Sequence, residues 1–127
     1  MVYLLDTHAV IWMAENSPSM PLAIKQIIGN SHNKIGISSV SLWEIAIKLS
    51  IGKLKISMSL KELIDYFRGR DFDFLQVEDE YVLGLSKLPP IHKDPFDRLL
   101  ISTAIAEKMT IITVDENIQK YDVPWVW

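Results

Sequence analysis

Asp6 and Asp115 each end a short apolar, partly β-branched run, Val2-Tyr-Leu-Leu-Asp6 and Thr110-Ile-Ile-Thr-Val-Asp115. Uninterrupted apolar runs of this length suit strands buried on both faces, as in a parallel sheet. Ligands of open parallel sheets bind beyond the carboxyl ends of the strands, so strand direction alone takes both aspartates to one rim. Two further acids sit at helix starts. Asp97 follows Asp94-Pro95, and its neighbours three, four and seven residues on are Leu100, Ile101 and Ala104, which turns it toward the interior. Glu44 lies in Val40 to Ile51, where Leu42, Trp43, Ile45, Ile47, Leu49 and Ile51 are large and apolar and only Ser41, Glu44 and Lys48 form a narrow polar stripe. A helix that follows a strand begins at the same carboxyl edge, so Glu44 and Asp97 can approach Asp6 and Asp115.

Taken singly, each acid reads first as a structural residue. Asp6 and Asp115 suit helix N-caps, Ser41-Leu-Trp-Glu44 fits a capping box, and Asp94-Pro95-Phe96-Asp97 fits a helix start. Four carboxylates on one rim are a different matter, because like charges about 4 Å apart repel by up to about 4 kcal/mol per pair at an effective dielectric of about 20. A cation is expected among them. Oxygen donors without cysteine or paired histidines favour Mg²⁺ or Mn²⁺ over zinc.

The elements that must position these acids alternate along the chain. Strands are expected at Val2 to Asp6, Lys34 to Ser38, Asp73 to Val77, Thr110 to Asp115 and Trp125 to Trp127. Helices are expected at Thr7 to Glu15, Pro21 to Ile28, Val40 to Ile51, Leu60 to Phe67, Glu78 to Lys87 and Pro95 to Lys108. The alternation implies right-handed crossovers and an α/β fold: a parallel sheet of about five strands flanked by helices on both faces. At 127 residues, 49% hydrophobic and with a net charge of −3, the chain is one globular domain, residues 1–127, and not a disordered one. No cysteine is present, which excludes disulfides, thiolate metal sites and a cysteine nucleophile. The N-terminus lacks a basic leader and no run is long enough to cross a membrane, so a cytoplasmic protein without membrane association is expected. Charge is nevertheless segregated. Lys48, Lys53, Lys55, Lys61, Arg68 and Arg70 face only Glu62 and Asp65 in their stretch, whereas Asp71, Asp73, Glu78, Asp79 and Glu80 follow without a basic residue.

Four blocks, in this order, carry a family resemblance: Leu4-Leu5-Asp6-Thr7-His8-Ala9, Ser38-Ser39-Val40-Ser41-Leu42-Trp43-Glu44-Ile45-Ala46-Ile47-Lys48, His92-Lys93-Asp94-Pro95-Phe96-Asp97-Arg98-Leu99-Leu100 and Thr113-Val114-Asp115. Together they span essentially the whole chain and resemble the PIN domain, in particular the VapC-like toxins of type II toxin-antitoxin systems. The resemblance implies a metal-dependent ribonuclease whose acids are Asp6, Glu44, Asp97 and Asp115, with Thr7, Ser39 and Thr113 as neighbouring hydroxyls. No acid of the set is missing. Phosphodiester hydrolysis needs an activated water and stabilised charge on the phosphate and leaving oxygen, which one or two Mg²⁺ ions held by carboxylates can provide. Lys48 and Arg98, each next to an acid in its block, are candidates for RNA phosphates and equally for ion pairs or solvated surface charges.

Other readings fit less well. A haloacid-dehalogenase-like phosphatase needs a second aspartate where His8 stands, and a receiver domain needs an acidic pair after the first strand and an aspartate after the third. None of the five glycines lies within five residues of another, so Rossmann and P-loop patterns, and the organic cofactors they bind, are absent. His8, His32 and His92 are scattered and read as structural or exposed. The alternative of another class is a non-catalytic RNA-binding or protein-interaction module of the same fold. Partners are expected as well. Val40 to Ile51 is apolar nearly all round, with a second stripe of Trp43, Ile47 and Ile51 that either the helix Leu60 to Phe67 covers or a partner does. The resemblance favours a homodimer or a cognate antitoxin on that surface, with Trp12 included.

Overall fold

Five short strands form the sheet of the computed structural model, which describes residues 1–127: β1 (Val2–Leu5), β2 (Lys34–Ser38), β3 (Asp73–Leu75), β4 (Thr110–Ile112) and β5 (Trp125–Val126). All neighbours pair in parallel in the order β3-β2-β1-β4-β5. The chain winds from β1 outward through β2 to β3 and then crosses to the other side of β1. The order therefore reverses between β1 and β4, and the crevice at their carboxyl ends is the position where such sheets bind ligands.

The helices are α1 (Thr7–Ala14), α2 (Leu22–Gly29), α3 (Ser39–Ser50), α4 (Leu60–Arg68), α5 (Asp79–Gly84), α6 (Pro95–Glu107) and α7 (Glu116–Gln119), with a 3₁₀ turn at Leu85–Lys87. Strand residues alternate between two cores. Tyr3, Leu5, Ile35, Ile37 and Ile112 face a core completed by Ala9, Val10, Ile24, Ile45, Leu63 and Phe67 from α1 to α4. Leu4 and Ile111 face the other way, onto Leu100, Ile101, Ala104, Ile118 and Tyr121. The central strands are thus buried on both faces, as their uninterrupted apolar runs require.

The α/β reading and its alternation hold, with local differences at element ends. The third and fourth strands stop at Leu75 and Ile112 rather than reaching Val77 and Asp115. The helix expected through Lys87 is α-helical only to Gly84 and then tightens to 3₁₀. The turn α7 has no counterpart in the sequence reading, because four residues are too few to show periodicity. Ser41 and Glu44 do not form a capping box: Ser38 caps α3, accepting from Val40 N–H at 3.1 Å, and Ser41 is buried in the helix body. The capping box present is Ser59 with Glu62 at the start of α4. No helix is long and apolar enough to cross a membrane.

Candidate active site

Asp6 is the residue after β1 and the N-cap of α1, and it is 2% exposed. Its Oδ1 accepts from Ala9 N–H at 2.8 Å and its Oδ2 from the Thr113 hydroxyl at 2.5 Å. The capping role and a role at the rim are therefore the same geometry. Burial raises its carboxyl pKa above the usual aspartate range, against the Thr113 and Ala9 hydrogen bonds that lower it; nearby Asp115 adds to the rise.

Asp115 follows β4 and caps α7, with Oδ1 accepting from Asn117 and Ile118 N–H at 2.8 and 3.2 Å. Its own N–H donates to the Thr113 hydroxyl at 3.0 Å. One threonine thus ties Asp6 to the backbone of Asp115 across two adjacent strands. Thr7 does the same for Glu44. Its hydroxyl donates to Glu44 Oε1 at 2.7 Å and lies 3.2 Å from the Ser41 hydroxyl, joining α1 to α3. Glu44 is only 4% exposed, and its Oε2 accepts from Lys48 Nζ at 2.6 Å. That contact, aided by Asp94 and Asp97, holds the lysine ammonium above its ordinary pKa, so Lys48 is a fixed cation. Ser39 is half-buried at the first position of α3.

Asp97 lies in the first turn of α6. Asp94 caps α6, accepting from Asp97 N–H at 2.9 Å, with Pro95 at the first helical position. Packing of Trp43 edge-on against Phe96, with ring centroids 5.1 Å apart, holds the start of α6 beside α3. The Asp97 carboxyl is pushed up to about 7, first by burial and then by the charges of Asp94, Glu44 and Asp115, while a hydrogen bond from His92 pulls the other way. His92 Nε2 lies 2.8 Å from Asp97 Oδ2.

The four rim acids come from four elements: the Thr113 hydroxyl links Asp6 to the backbone of Asp115, and Asp97 feels the charges of Glu44 and Asp115, yet no three of them bring oxygens within 4.8 Å of one another. The tight trio is His92, Asp94 and Asp97. His92 is the residue that sequence reasoning missed. The available signal was its place five residues before Asp97 in the same block. Arg98 points its guanidinium at the protein, donating to Pro89 O, Leu85 O and the Tyr121 hydroxyl at 3.0, 3.2 and 3.0 Å.

The donor set fits a hard divalent cation. Negative charge outweighs Lys48, two acids are held above their ordinary pKa, and Asp97 Oδ1 and Asp115 Oδ2 have no hydrogen-bond donor from the chain. A concavity of about 690 Å³ between α5 and α6 is lined by residues such as Leu83, Leu88 and Ile105 and includes none of the four acids.

Comparison with known proteins agrees with this architecture. A family model described as PIN domain matches residues 3–124. The fold is similar to a chain of VapBC2 from Rickettsia felis bound to a DNA fragment from their promoter, with TM-score 0.75, 21% identity and coverage of 100% of this chain and 99% of that one. It is also similar to DNA-bound VapBC from Salmonella typhimurium (TM-score 0.70, 15% identity, 99% and 97% covered). VapBC-1 from nontypeable Haemophilus influenzae follows at TM-score 0.66 and 18% identity, with 99% and 97% covered. No curated protein matches the chain by sequence. The family model takes in the first strand, both strand-end aspartates and the start of α6, and the chain belongs to the PIN-domain family.

Proposed function

We propose that the chain is a ribonuclease dependent on Mg²⁺ or Mn²⁺ and the toxin of a type II toxin-antitoxin pair. The observation that carries this reading is the convergence of Asp6, Glu44, Asp97 and Asp115 at the switch point of the sheet, with more negative charge than Lys48 balances. These four acids would hold the metal. When bound, the cation supplies Lewis acidity for an attacking water and for charge on the phosphate. Thr113 and the α1 backbone fix both oxygens of Asp6, so its carboxylate needs no reordering when the substrate arrives. Thr7 and Lys48 do the same for Glu44. Lys48, half-exposed at the edge of the crevice, adds attraction for a phosphodiester.

Partners follow from surface and from kinship. Helix α4 and the first core cover Leu42 and Leu49, but Trp43 and Ile51 remain 60% and 57% exposed on the other side of α3. Trp12 is half-buried against the C-terminal Trp127, with ring centroids 5.6 Å apart, so its own chain covers part of it. The similar structures are VapBC complexes, which supports a cognate antitoxin on the Trp43 side of α3, a homodimer, or both. Both RNA and such a partner would be met in the cytoplasm. Purified protein should cleave RNA with Mg²⁺ or Mn²⁺ and not in excess EDTA, and Asp6→Asn should be inactive while folded. Full cleavage in EDTA would overturn the reading. RNA binding without cleavage under Mn²⁺ would favour a non-catalytic module instead.

A further inference from the structure

The segment between the 3₁₀ turn and α6 carries no regular structure, yet it delivers His92 to within 2.8 Å of Asp97 Oδ2. Three anchors hold it. Arg98 Nη2 donates to Leu85 O and Nη1 to Pro89 O. The third anchor is the buried Tyr121 hydroxyl, which accepts from Arg98 Nη1 at 3.0 Å and from His92 N–H at 2.9 Å and lies 3.4 Å from His92 O. A phenol oxygen has two acceptor sites and one proton, and this arrangement uses all of them. Arg98 is one residue after Asp97, so the brace begins on the helix whose carboxylate it serves and closes on it through the loop and the imidazole.

We propose that Arg98, Tyr121 and His92 are positioning residues that set the Asp97 carboxylate, occupying Oδ2 with the imidazole and leaving Oδ1 for a divalent cation. The inference rests on the reading of the rim as a metal-dependent nuclease site, and it assigns Arg98 a role inside the protein rather than on RNA phosphates. Partners one step behind a metal ligand restrict its orientation, and their loss typically lowers metal affinity by roughly 10 to 100-fold.

The test is calorimetric titration of the full chain with Mn²⁺, alongside melting in EDTA as a folding control and RNA binding in EDTA. Tyr121→Phe removes one oxygen and keeps the ring. It should weaken Mn²⁺ binding by roughly 10-fold or more, leave RNA binding in EDTA unchanged, and recover cleavage as Mn²⁺ is raised. Arg98→Lys, which cannot reach three acceptors at once, should behave alike. Should Tyr121→Phe fail to fold, His92→Gln on the half-buried loop carries the same measurement. Wild-type Mn²⁺ affinity in these variants would overturn the brace while leaving the nuclease reading intact, as would weakened RNA binding of Arg98→Lys in EDTA at unchanged Mn²⁺ affinity. A wild-type chain that binds no Mn²⁺ and cleaves no RNA would overturn both.

Discussion

Asp97→Asn should make the cation-free protein more stable at pH 8 while removing its activity. The Asp97 carboxyl titrates near 7 in the folded chain against 3.8 for an ordinary aspartate, so the folded state binds the proton more tightly than the unfolded state between those values. Stability linked to this group is therefore fully present below pH 3.8 and is lost as the pH rises through 7. Three units at 1.36 kcal/mol each amount to about 4 kcal/mol of destabilisation from the ionised carboxylate. An asparagine carries no charge at any pH and keeps an oxygen for His92, although the weaker hydrogen bond gives back about 1 kcal/mol. The net gain is about 3 kcal/mol, or roughly 10 °C in melting temperature for a chain of this size. Thermal melting in EDTA from pH 4 to 8 measures it: the wild-type curve should fall across this range and the variant curve should lose most of that fall. Added Mn²⁺ should then close most of the gap, because the wild type gains about 2.7 kcal/mol at 100 times its dissociation constant and the variant gains less. A variant less stable than wild type at pH 8 in EDTA, with an unchanged pH slope, would refute the electrostatic argument.

Asp6→Asn should abolish cleavage and most of the Mn²⁺-induced rise in melting temperature, since it neutralises the most buried rim acid; retention of either at wild-type level counts against the metal site. Thr113→Val removes the donor to Asp6 and the acceptor for Asp115 N–H, and urea denaturation should show a loss of about 1 to 3 kcal/mol together with reduced Mn²⁺ affinity. An unchanged affinity would mean that Thr113 does not set the geometry of either aspartate. Trp43→Ser should weaken antitoxin capture or dimer formation by light scattering at only a small cost in melting temperature, because Trp43 is 60% exposed and its edge-on contact with Phe96 is the main packing lost. Unaltered assembly would move the partner surface away from α3.

Strand identity, the α/β alternation and the placement of Asp6 and Asp115 beyond the carboxyl ends of β1 and β4 were legible in the sequence because they depend on local pattern: short apolar runs followed by an acid, and helix-forming stretches between them. Asp94 as a cap was legible for the same reason, since Asp-Pro at a helix start is a local signal. The sequence pointed to Ser41 with Glu44 as a capping box, whereas Ser38 caps α3, because the strand β2 running to Ser38 sets where the helix begins. It also left open what Lys48 and Arg98 hold. Lys48 turns to Glu44 one helical turn away, whereas Arg98 reaches Leu85, Pro89 and Tyr121, which are 13, 9 and 23 residues distant. The threonine links from Thr113 to Asp6 and from Thr7 to Glu44 span 107 and 37 residues. Periodicity reports which way a residue faces; it carries no information about which distant side chain stands opposite. That pairing, and with it the raised Asp97 carboxyl and its contact with His92, was decided only when the sheet order brought the ends of β1 and β4 and the starts of α3 and α6 to one crevice.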